Sequence, residues 1–546
     1  MCGIFGCFLK SKDQVSKILV VGLQKLLYRG YDSWGYTIDN IHVRRSMETP
    51  SDDGTKGRFG IAHTRWATHG EPCIRNTHPV QSPDGKWFVV HNGIIQNHDS
   101  FDRQNHVTDT DTEVLVSLAQ HVYTPGMTFP DVIKKVISVI DGSYAVLFTS
   151  THFPNEMVAT CNGSPLVFGT SEHGVFFSSD HIALSDVCKT YMKLENRDVI
   201  HVHDDTYTIE NVRPFHETVH SKDLFNTEEH YMLKEIREQP QALIKLYKGR
   251  VYPDRVRLGG LEAYREVLER STHWVLLGCG TSHNACLCVR PLLENHLQKT
   301  VQCELASDFF IRDAHVSKST LYFIVSQSGE TKDCITAAQY INRRGGTCFG
   351  INNRPGSMLD SHTVAGLHLN IGPEIAVAAT KSFTASVVAF LMIAEMIKPK
   401  NPGHILELPN VIEQHIERCL HEISGPVPTW VLGDGIGFGI AREIALKIQE
   451  IVYEPVLTHY GYEVKHGPLA LVDEKTRFVY FGHSVDIPSI LKSRGAQGDA
   501  FTILESDPWI FILRHVISYQ IFTYKLAKQK GLPIDRPRNL AKSVTV

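Results

Sequence analysis

Short hydrophobic runs alternate with polar residues along the part of the chain before residue 212, separated by Gly, Asp and Asn. Alternation with a period of two predicts half-buried β-strands, most clearly at 59–67, 87–95, 143–150, 174–178 and 199–202. A period near 3.6 residues predicts helices over 15–27 and 111–121. Strands grouped in this way, with helices kept apart from them, predict a layered α+β domain.

The pattern changes after residue 212. The polar, weakly periodic stretch that follows is predicted to be a linker, which we place at 213–229. Beyond it, predicted strands at 274–277, 320–325, 347–351 and 430–432 alternate with predicted helices beginning near 283 and covering 331–343 and 437–453. This βαβ order predicts parallel sheets. A strand, a Gly turn and a helix occur near 274 and again near 430, which predicts two similar α/β subdomains.

Composition narrows the class of protein. The chain has 546 residues, of which 42% are hydrophobic and 21% charged, which is typical of a globular protein with two or three domains. A net charge of −4 and a pI near 6.7 do not indicate the excess of basic residues that is typical of nucleic-acid-binding proteins. The longest apolar run, 384–397, contains Glu395 and is too short to cross a membrane. The start has no basic, apolar secretory pattern, and no C-x-x-C pair occurs, so we expect a cytoplasmic protein with free thiols.

A cysteine directly follows the initiator methionine. A small second residue normally allows Met1 to be removed, and Cys2 would then carry a thiol and a free α-amine. The pKa of such an amine is about 7.7–8.0, so one residue could provide both a nucleophile and a base. Taken alone, a cysteine at this position favours an ordinary second-position residue, and a lipidated cysteine is a minor further alternative.

Four motifs follow Cys2 in a characteristic order: YRGYDS at 28–33, HTRWATHG at 63–70, HNGII at 91–95 and TDTE at 110–113. Together with Cys2 they resemble the glutaminase domain of the N-terminal-nucleophile amidotransferases, over residues 1–212. The resemblance implies an αββα fold and hydrolysis of the glutamine side-chain amide.

The same resemblance implies roles for individual residues. Cys2 is the expected nucleophile, and Asn92 with the backbone N–H of Gly93 the expected oxyanion hole. Arg65 is expected to bind the α-carboxylate of glutamine and Asp111 its α-ammonium group. Other residues expected at this site are Thr68, His69 and His78, with Trp66 as a gate for ammonia.

Asp111 also fits a structural role. Thr110 and Glu113 have the spacing of a capping box, and an aspartate in the first turn of a helix favours the helix dipole. Both roles can hold at once.

Two hydroxyl-rich segments follow predicted strands in the second half, CGTS at 279–282 and SQSGET at 326–331. Hydroxyls at a helix N-terminus favour anions, and two such segments favour a phosphate monoester, although a capped hydrophilic loop would look the same. No Gly-Lys-Ser/Thr follows, which excludes a nucleotide loop, and 433–439 lacks dinucleotide-binding spacing. The two segments resemble sugar-isomerase (SIS) domains, implying subdomains at 230–402 and 403–528 and a catalytic tail at 529–546.

Three segments match the catalytic elements of the SIS-containing family. Glu443, Lys447 and Glu450 have the spacing of one helix face, which taken alone favours a surface ion-pair face. The resemblance implies that Glu450 is the isomerisation base. It also implies that His466, in KHGPLA, opens the sugar ring across a dimer interface and that Lys542 forms a Schiff base. The residues implied to bind the sugar phosphate are Thr281, Ser282, Ser326, Gln327, Ser328, Thr331, Val377, Lys447 and Ala541.

The two halves together resemble the isomerising glutamine–fructose-6-phosphate aminotransferases. This implies glutamine and fructose 6-phosphate as substrates, glucosamine 6-phosphate as product for hexosamine biosynthesis, an ammonia channel, a homodimer, and no cofactor, metal, nucleic acid or membrane. Rival amidotransferases need a diphosphate or ATP loop that we do not find. A sugar-phosphate sensor with decayed catalysis is the alternative from another class.

Some positions differ from the family pattern, and one histidine pair resembles a metal site. The chain is short after Asn40 and near 484–498, and the segment 454–462 is altered. Ala379 stands where the family has serine, and Asp434 where it has arginine. The alternation of His201 and His203 places them on one strand face, like metal ligands, but we find no further ligand nearby.

Overall fold

The computed structural model describes residues 2–67, 69–102, 106–204, 206–209, 213–217, 228–353, 355–502 and 507–542. Contacts divide the chain into two compact units. The first consists of Met1–Phe225 with Ala541–Val546, and the second of Asn226–Leu540.

The first unit contains two antiparallel sheets. The eight-stranded sheet has the order β14-β11-β9-β10-β1-β4-β2-β3, and the six-stranded sheet the order β13-β12-β8-β7-β6-β5. The strands are β1 (Gly3–Asp13), β2 (Ser33–Ile38), β3 (His42–Ser46), β4 (Gly57–Arg65), β5 (Val80–Gln81), β6 (Trp87–Ile95), β7 (Gly142–Ser150), β8 (Phe153–Asn162), β9 (Val167–Ser171), β10 (Gly174–Ser178), β11 (Thr190–Lys193), β12 (Val199–His203), β13 (Thr206–Ile209) and β14 (His216–Glu217).

Alternation along each strand forms three separate cores in this unit. Ile4 and Phe8 of β1 face the six-stranded sheet, while Phe5 and Leu9 face the helix α1 (Val15–Leu26). The helices α2 (Glu113–Val122) and α3 (Phe129–Val139) cover the outer face of the six-stranded sheet. The order helix, sheet, sheet, helix confirms the predicted αββα fold.

The predicted linker 213–229 differs in part from what the structure describes. His216 pairs with Tyr191 as part of β14, so the eight-stranded sheet extends into that stretch. A two-residue strand carries no periodic pattern, which is why the sequence did not predict it.

The second unit contains two parallel sheets, as predicted. The five-stranded sheet has the order β16-β15-β17-β18-β19, and the four-stranded sheet the order β21-β20-β22-β23. The strands are β15 (His273–Gly278), β16 (Thr300–Leu305), β17 (Thr320–Ser326), β18 (Thr347–Asn352), β19 (Ala365–His368), β20 (Trp430–Gly433), β21 (Leu457–Tyr460), β22 (Arg477–Gly482) and β23 (Gln497–Thr502).

Twelve helices of this unit are described, and several pack between the two sheets in one continuous core. They are α4 (Tyr231–Arg237), α5 (Gln239–Tyr247), α6 (Gly259–Glu262), α7 (Arg265–Arg270), α8 (Gly280–Leu297), α9 (Ala306–Ile311), α10 (Lys332–Arg343), α11 (Lys381–Ile397), α12 (Leu408–Glu422), α13 (Ile436–Val452), α14 (Asp486–Lys492) and α15 (Pro508–Gln529). None of the helices that the structure describes has the length and hydrophobicity needed to span a bilayer. All 12 cysteines are free thiols.

Candidate active sites

The candidate nucleophile lies at the start of β1, which is flanked by β4 and β10. The half-buried Cys2 Sγ accepts a hydrogen bond from the Trp66 backbone N–H at 3.2 Å and lies 3.4 Å from the Trp66 carbonyl oxygen. Burial raises the pKa of the Cys2 thiol, while the Trp66 N–H and the guanidinium groups of Arg65 and Arg29 oppose that rise. The thiol therefore needs a proton acceptor before it can attack.

Asn92 and Gly93 lie next to Cys2, on β6. Asn92 Nδ2 donates to the Cys2 carbonyl oxygen at 2.9 Å, and Arg29 Nε donates to the same oxygen at 3.1 Å. Gly93 has a φ of +138°, and a Cβ there would lie 1.9 Å from the Ser143 carbonyl oxygen, so only glycine fits. The predicted oxyanion donors are thus beside the predicted nucleophile.

Arg65 organises the loop that follows β4. Its guanidinium donates to the carbonyl oxygens of His69, Gly70 and Glu71 at 2.5, 3.0 and 3.0 Å. Arg65 and His69, both predicted to bind glutamine, are therefore adjacent. Thr68, predicted at the same site, lies outside the described residues.

Asp111 is buried near the end of β6. Its Oδ2 accepts a hydrogen bond from the Ile95 backbone N–H at 2.8 Å. The capping-box prediction was wrong, because α2 begins at Glu113 and has no side-chain cap. The Glu113 carboxylate instead accepts from the backbone N–H groups of residues 107 and 108, at 2.8 and 2.6 Å. The structural role predicted for Asp111 is therefore not realised.

His78 belongs to a cluster of three buried histidines. Its Nδ1 lies 3.2 Å from His63 Nε2, and the two rings are 4.1 Å apart. His63 Nε2 also lies 2.9 Å from the His91 carbonyl oxygen and 3.1 Å from Asn92 Oδ1. Burial lowers the pKa of His63 to about 3 and the pKa of His78 well below its ordinary value. Both rings are therefore neutral at neutral pH.

In the second unit, the segment 326–331 joins β17 to α10. Ser326 Oγ lies 3.0 Å from Thr331 Oγ1 and accepts from the Gly329 N–H at 3.2 Å. Ser328 Oγ and the Gln327 carbonyl oxygen each accept a backbone N–H, at 3.1 and 3.0 Å. Four predicted phosphate-binding residues thus share one loop at the carboxyl end of a parallel strand, where ligands of open α/β sheets bind.

A buried polar network connects the start of α8 with α13. The Glu443 carboxylate accepts from Thr281 Oγ1 at 3.1 Å and Asn284 Nδ2 at 2.9 Å, and Lys447 Nζ lies 3.5 Å away. Lys447 Nζ donates to Glu450 Oε2 at 2.5 Å. Glu443 is 0% and Lys447 1% exposed, so the alternative of a surface ion-pair face was wrong.

The charges in this network support one another. Burial raises the pKa of the Glu443 carboxyl, and Lys447 opposes that rise. Burial would lower the pKa of Lys447, but Glu443 and Glu450 raise it above its ordinary value. Lys447 is therefore a cation that fixes the position of Glu450, the predicted base.

Two predicted sugar contacts lie in the same unit. Ser282 is in the first turn of α8, directly after Thr281. The Val377 N–H donates to the Asp535 carbonyl oxygen at 3.0 Å, while Asp535 Oδ2 accepts from the Tyr231 N–H at 2.9 Å. These bonds anchor the start of the tail to the segment before α11.

The remaining predicted catalytic residues are placed differently. His466 is exposed, on a short 3-10 turn. Ala541 and Lys542 are grouped with the first unit, where the Lys542 backbone N–H donates to the Tyr28 carbonyl oxygen at 3.4 Å.

Two of the departures from the family pattern make local contacts in the structure. Asp434 Oδ2 accepts a hydrogen bond from the Tyr480 hydroxyl at 2.9 Å, within the four-stranded sheet. In the altered segment, Tyr460 stacks on Phe438 with ring centroids 3.7 Å apart. Nothing in the structure explains alanine at position 379.

His201 and His203 do lie on one strand face, with ring centroids 6.0 Å apart. His201 Nε2 lies 2.6 Å from Glu156 Oε2. Among the described residues, no group of three or more His, Cys, Asp or Glu side chains could hold a metal ion.

Three residues at these sites were not predicted. Arg29 and His63 stand inside quoted motifs, but Arg29 contacts Cys2 from the turn after α1, and His63 on β4 contacts Asn92 on β6 of the other sheet, which sequence spacing does not reveal. Asn284 is one turn beyond the CGTS segment, on the face of α8 that meets Glu443.

Comparison with known proteins identifies two domain families. Residues 1–227 match the glutamine amidotransferase domain, and residues 267–396 match the SIS domain. The chain is 31% identical, over the whole of both chains, to the probable glutamine–fructose-6-phosphate aminotransferase [isomerizing] of Schizosaccharomyces pombe. It is likewise 31% identical, over the whole of both chains, to the glutamine–fructose-6-phosphate aminotransferase [isomerizing] of Chlorobaculum tepidum.

A solved structure resembles part of the chain. It is the C-terminal domain of glucosamine-fructose-6-phosphate aminotransferase from Francisella tularensis. The match covers 57% of this chain and 99% of that one, with a TM-score of 0.50 and 25% identity.

Proposed function

The chain belongs to the family of isomerising glutamine–fructose-6-phosphate aminotransferases, and we propose that it converts glutamine and fructose 6-phosphate into glutamate and glucosamine 6-phosphate. The observation that carries the proposal is the presence of both half-sites in one chain. Cys2 lies beside Asn92 in the first unit, and the hydroxyl loop 326–331 follows β17 in the second. The product is the amino sugar with which hexosamine biosynthesis begins.

In the first half-reaction, the Cys2 thiolate attacks the side-chain carbonyl of glutamine. The α-amine that Cys2 carries once Met1 is removed takes the thiol proton and passes it to the departing ammonia. Water then hydrolyses the thioester to glutamate. Asn92 Nδ2 and the Gly93 N–H stabilise the oxyanion, and one such donor is worth about 2.7–4 kcal/mol.

The charged ends of glutamine need opposite charges. A guanidinium group binds a carboxylate with two parallel hydrogen bonds, and Arg65 is the proposed partner of the α-carboxylate. Asp111 is the proposed partner of the α-ammonium group. Arg65 donates to the backbone carbonyl oxygens of residues 69–71, and this supports the proposal that Arg65 and His69 act at the same site.

In the second half-reaction, His466 opens the sugar ring and the Lys542 amine condenses with the open ketose, losing water to form an imine. Ammonia then adds to C2 of this imine and displaces the Lys542 amine, and Glu450 moves a proton from C1 to C2 of the resulting ammonia-derived imine. The hydrogen bond from Lys447 supports this role, because it holds the carboxylate in place. His466 acts from a second copy of the chain in a proposed homodimer.

Ammonia links the two half-reactions. In bulk water at pH 7 it would be mostly ammonium, which is not a nucleophile. An internal channel gated by Trp66 is therefore proposed to carry it. The proposed location is the cytoplasm, and the chemistry requires no cofactor, because the imine-forming amine belongs to the protein.

A coupled assay tests the proposal. Glutamine and fructose 6-phosphate should yield glutamate and glucosamine 6-phosphate in equal amounts. Cys2→Ala should abolish glutamate release yet keep hexose phosphate isomerisation, whereas Cys188→Ala, which removes a buried thiol of the same unit, should leave both. Wild-type protein that binds fructose 6-phosphate without turning it over would favour the sensor alternative.

A further inference from the structure

His63 is fully buried at the centre of the glutaminase half-site, and the proposed chemistry gives it no role. Its Nε2 lies 2.9 Å from the His91 carbonyl oxygen, 3.1 Å from Asn92 Oδ1 and 3.2 Å from Nδ1 of the neutral His78, which can accept a hydrogen bond. A backbone carbonyl oxygen can only accept a hydrogen bond. The proton of the neutral His63 ring is therefore on Nε2.

That proton constrains Asn92. A side-chain amide has an accepting oxygen and a donating NH₂ group, which exchange places when the amide rotates by half a turn. If the NH₂ group of Asn92 faced His63, two donors would meet in a buried site, at a cost of about 1–3 kcal/mol for the unmade bonds. The oxygen must therefore face His63, and the NH₂ group must face Cys2.

The observed bonds agree with this orientation. Asn92 Oδ1 is the atom beside His63, and Asn92 Nδ2 donates to the Cys2 carbonyl oxygen at 2.9 Å. An oxyanion hole depends on donors that already point at the developing charge. If the Asn92 amide could rotate freely, its oxygen instead of its NH₂ group would face the oxyanion in some of the molecules.

We propose that His63 is a positioning residue that selects the orientation of the Asn92 amide and so aims an oxyanion-hole donor at the Cys2 site. The inference rests on the proposed glutaminase function. The His91 carbonyl oxygen determines which ring nitrogen of His63 is protonated, and that proton determines the orientation of the Asn92 amide.

The matched variants are His63→Gln and His63→Met, which have similar size and shape. Gln retains an N–H donor near the position of Nε2, and Met has none. His63→Met should lower kcat for glutamine hydrolysis by about 10–100-fold, less than the 10²–10³-fold expected for losing the donor itself, with little change in KM. His63→Gln should recover most of the loss. His152→Leu is the control, because this histidine contacts Trp87, about 17 Å along β6 from Asn92.

A double-mutant comparison separates positioning from a general structural role. In an Asn92→Ala background, His63→Met should cost no further activity, because the amide that it orients is gone. Equal losses in both backgrounds, or equal activity of the Gln and Met variants, would overturn the inference. A wild-type protein without any glutaminase activity would instead overturn the proposed function.

A binding measurement provides a second readout. The aldehyde analogue of glutamate adds to the Cys2 thiol, which forms a C–S bond and moves the thiol proton to the former carbonyl oxygen or its surroundings. That oxygen mimics the oxyanion, so His63→Met should weaken binding of the aldehyde about tenfold or more while glutamate binding stays the same. Weakening of both ligands to the same extent would contradict a positioning role.

Discussion

At the scale of single residues, a few contacts determine what each half-site can do. Gly93 has no alternative, because a Cβ would overlap the Ser143 carbonyl oxygen. Glu450 is held by one cation, and Asn92 by one imidazole. Ala379, where the family has serine, has no such contact to explain it and can be tested by substitution.

Glu450 and Ala379 should respond very differently to substitution. Glu450→Gln keeps the shape of the side chain but removes the base, so synthesis of glucosamine 6-phosphate should fall about 10²–10⁴-fold. Ala379→Ser restores one hydroxyl, and a single neutral hydrogen bond of about 0.5–1.5 kcal/mol corresponds to a three- to tenfold change. Initial rates at saturating substrates measure both. Near-normal synthesis by Glu450→Gln would remove Glu450 from the mechanism.

The roles of Cys2 and Asn92, predicted from motifs, stay predictions, and the structure places the two residues in contact. Lys447 was predicted to bind the sugar phosphate, and in the structure it contacts Glu443 and Glu450. The contribution of His63 could not be predicted, because it acts on Asn92 through a tautomer and a contact between non-adjacent strands. For Glu113 the sequence predicted a contact that does not form. Its spacing from Thr110 is local, but the N–H groups of residues 107 and 108 bind its carboxylate instead.

At the scale of secondary-structure elements, periodicity predicted most bounds closely. The predicted strands 87–95 and 174–178 coincide with β6 and β10. Both are interior strands whose successive side chains enter different cores, so nearly every residue in them is buried. The pairing order of the strands could not be predicted in this way, because it depends on contacts between residues that are far apart in the chain.

The charged face of α13 leads to a prediction about stability. Lys447→Met removes the cation beside the fully buried Glu443, which leaves an uncompensated carboxylate, so the free energy of unfolding should fall by about 3–5 kcal/mol. Adding Glu443→Gln should recover part of that loss. Urea unfolding measures these changes.

Lys530→Met is the matched control. Lys530 pairs with Glu454 at a partly exposed site, where an ion pair contributes little, so its unfolding curve should match that of the wild type. If Lys447→Met and Lys530→Met lowered stability equally, the buried network would not contribute as argued.

At the scale of the whole molecule, the release of ammonia from glutamine must match its use in amino sugar synthesis. Trp66 follows Arg65 on the loop after β4 and packs edge to face against Tyr31, with centroids 5.6 Å apart. Because Trp66 is the proposed gate for ammonia, Trp66→Ala should release glutamate in excess over amino sugar, and Trp66→Phe, which keeps an aromatic ring, should uncouple less. The ratio of the two products in a single reaction measures the effect. A ratio of one in the alanine variant would leave Trp66 as a packing residue.

The interior position of β1 sets an order of events during synthesis. The Ile4 N–H donates to Ser179 Oγ, 175 residues further along the chain. Ribosomes add about 5–20 residues per second, so β10, the neighbour of β1 that is made last, is synthesised roughly 10–35 s after β1. During that interval Cys2 lacks the sheet that holds it. A nascent chain that has not yet completed β10 should therefore lack glutaminase activity.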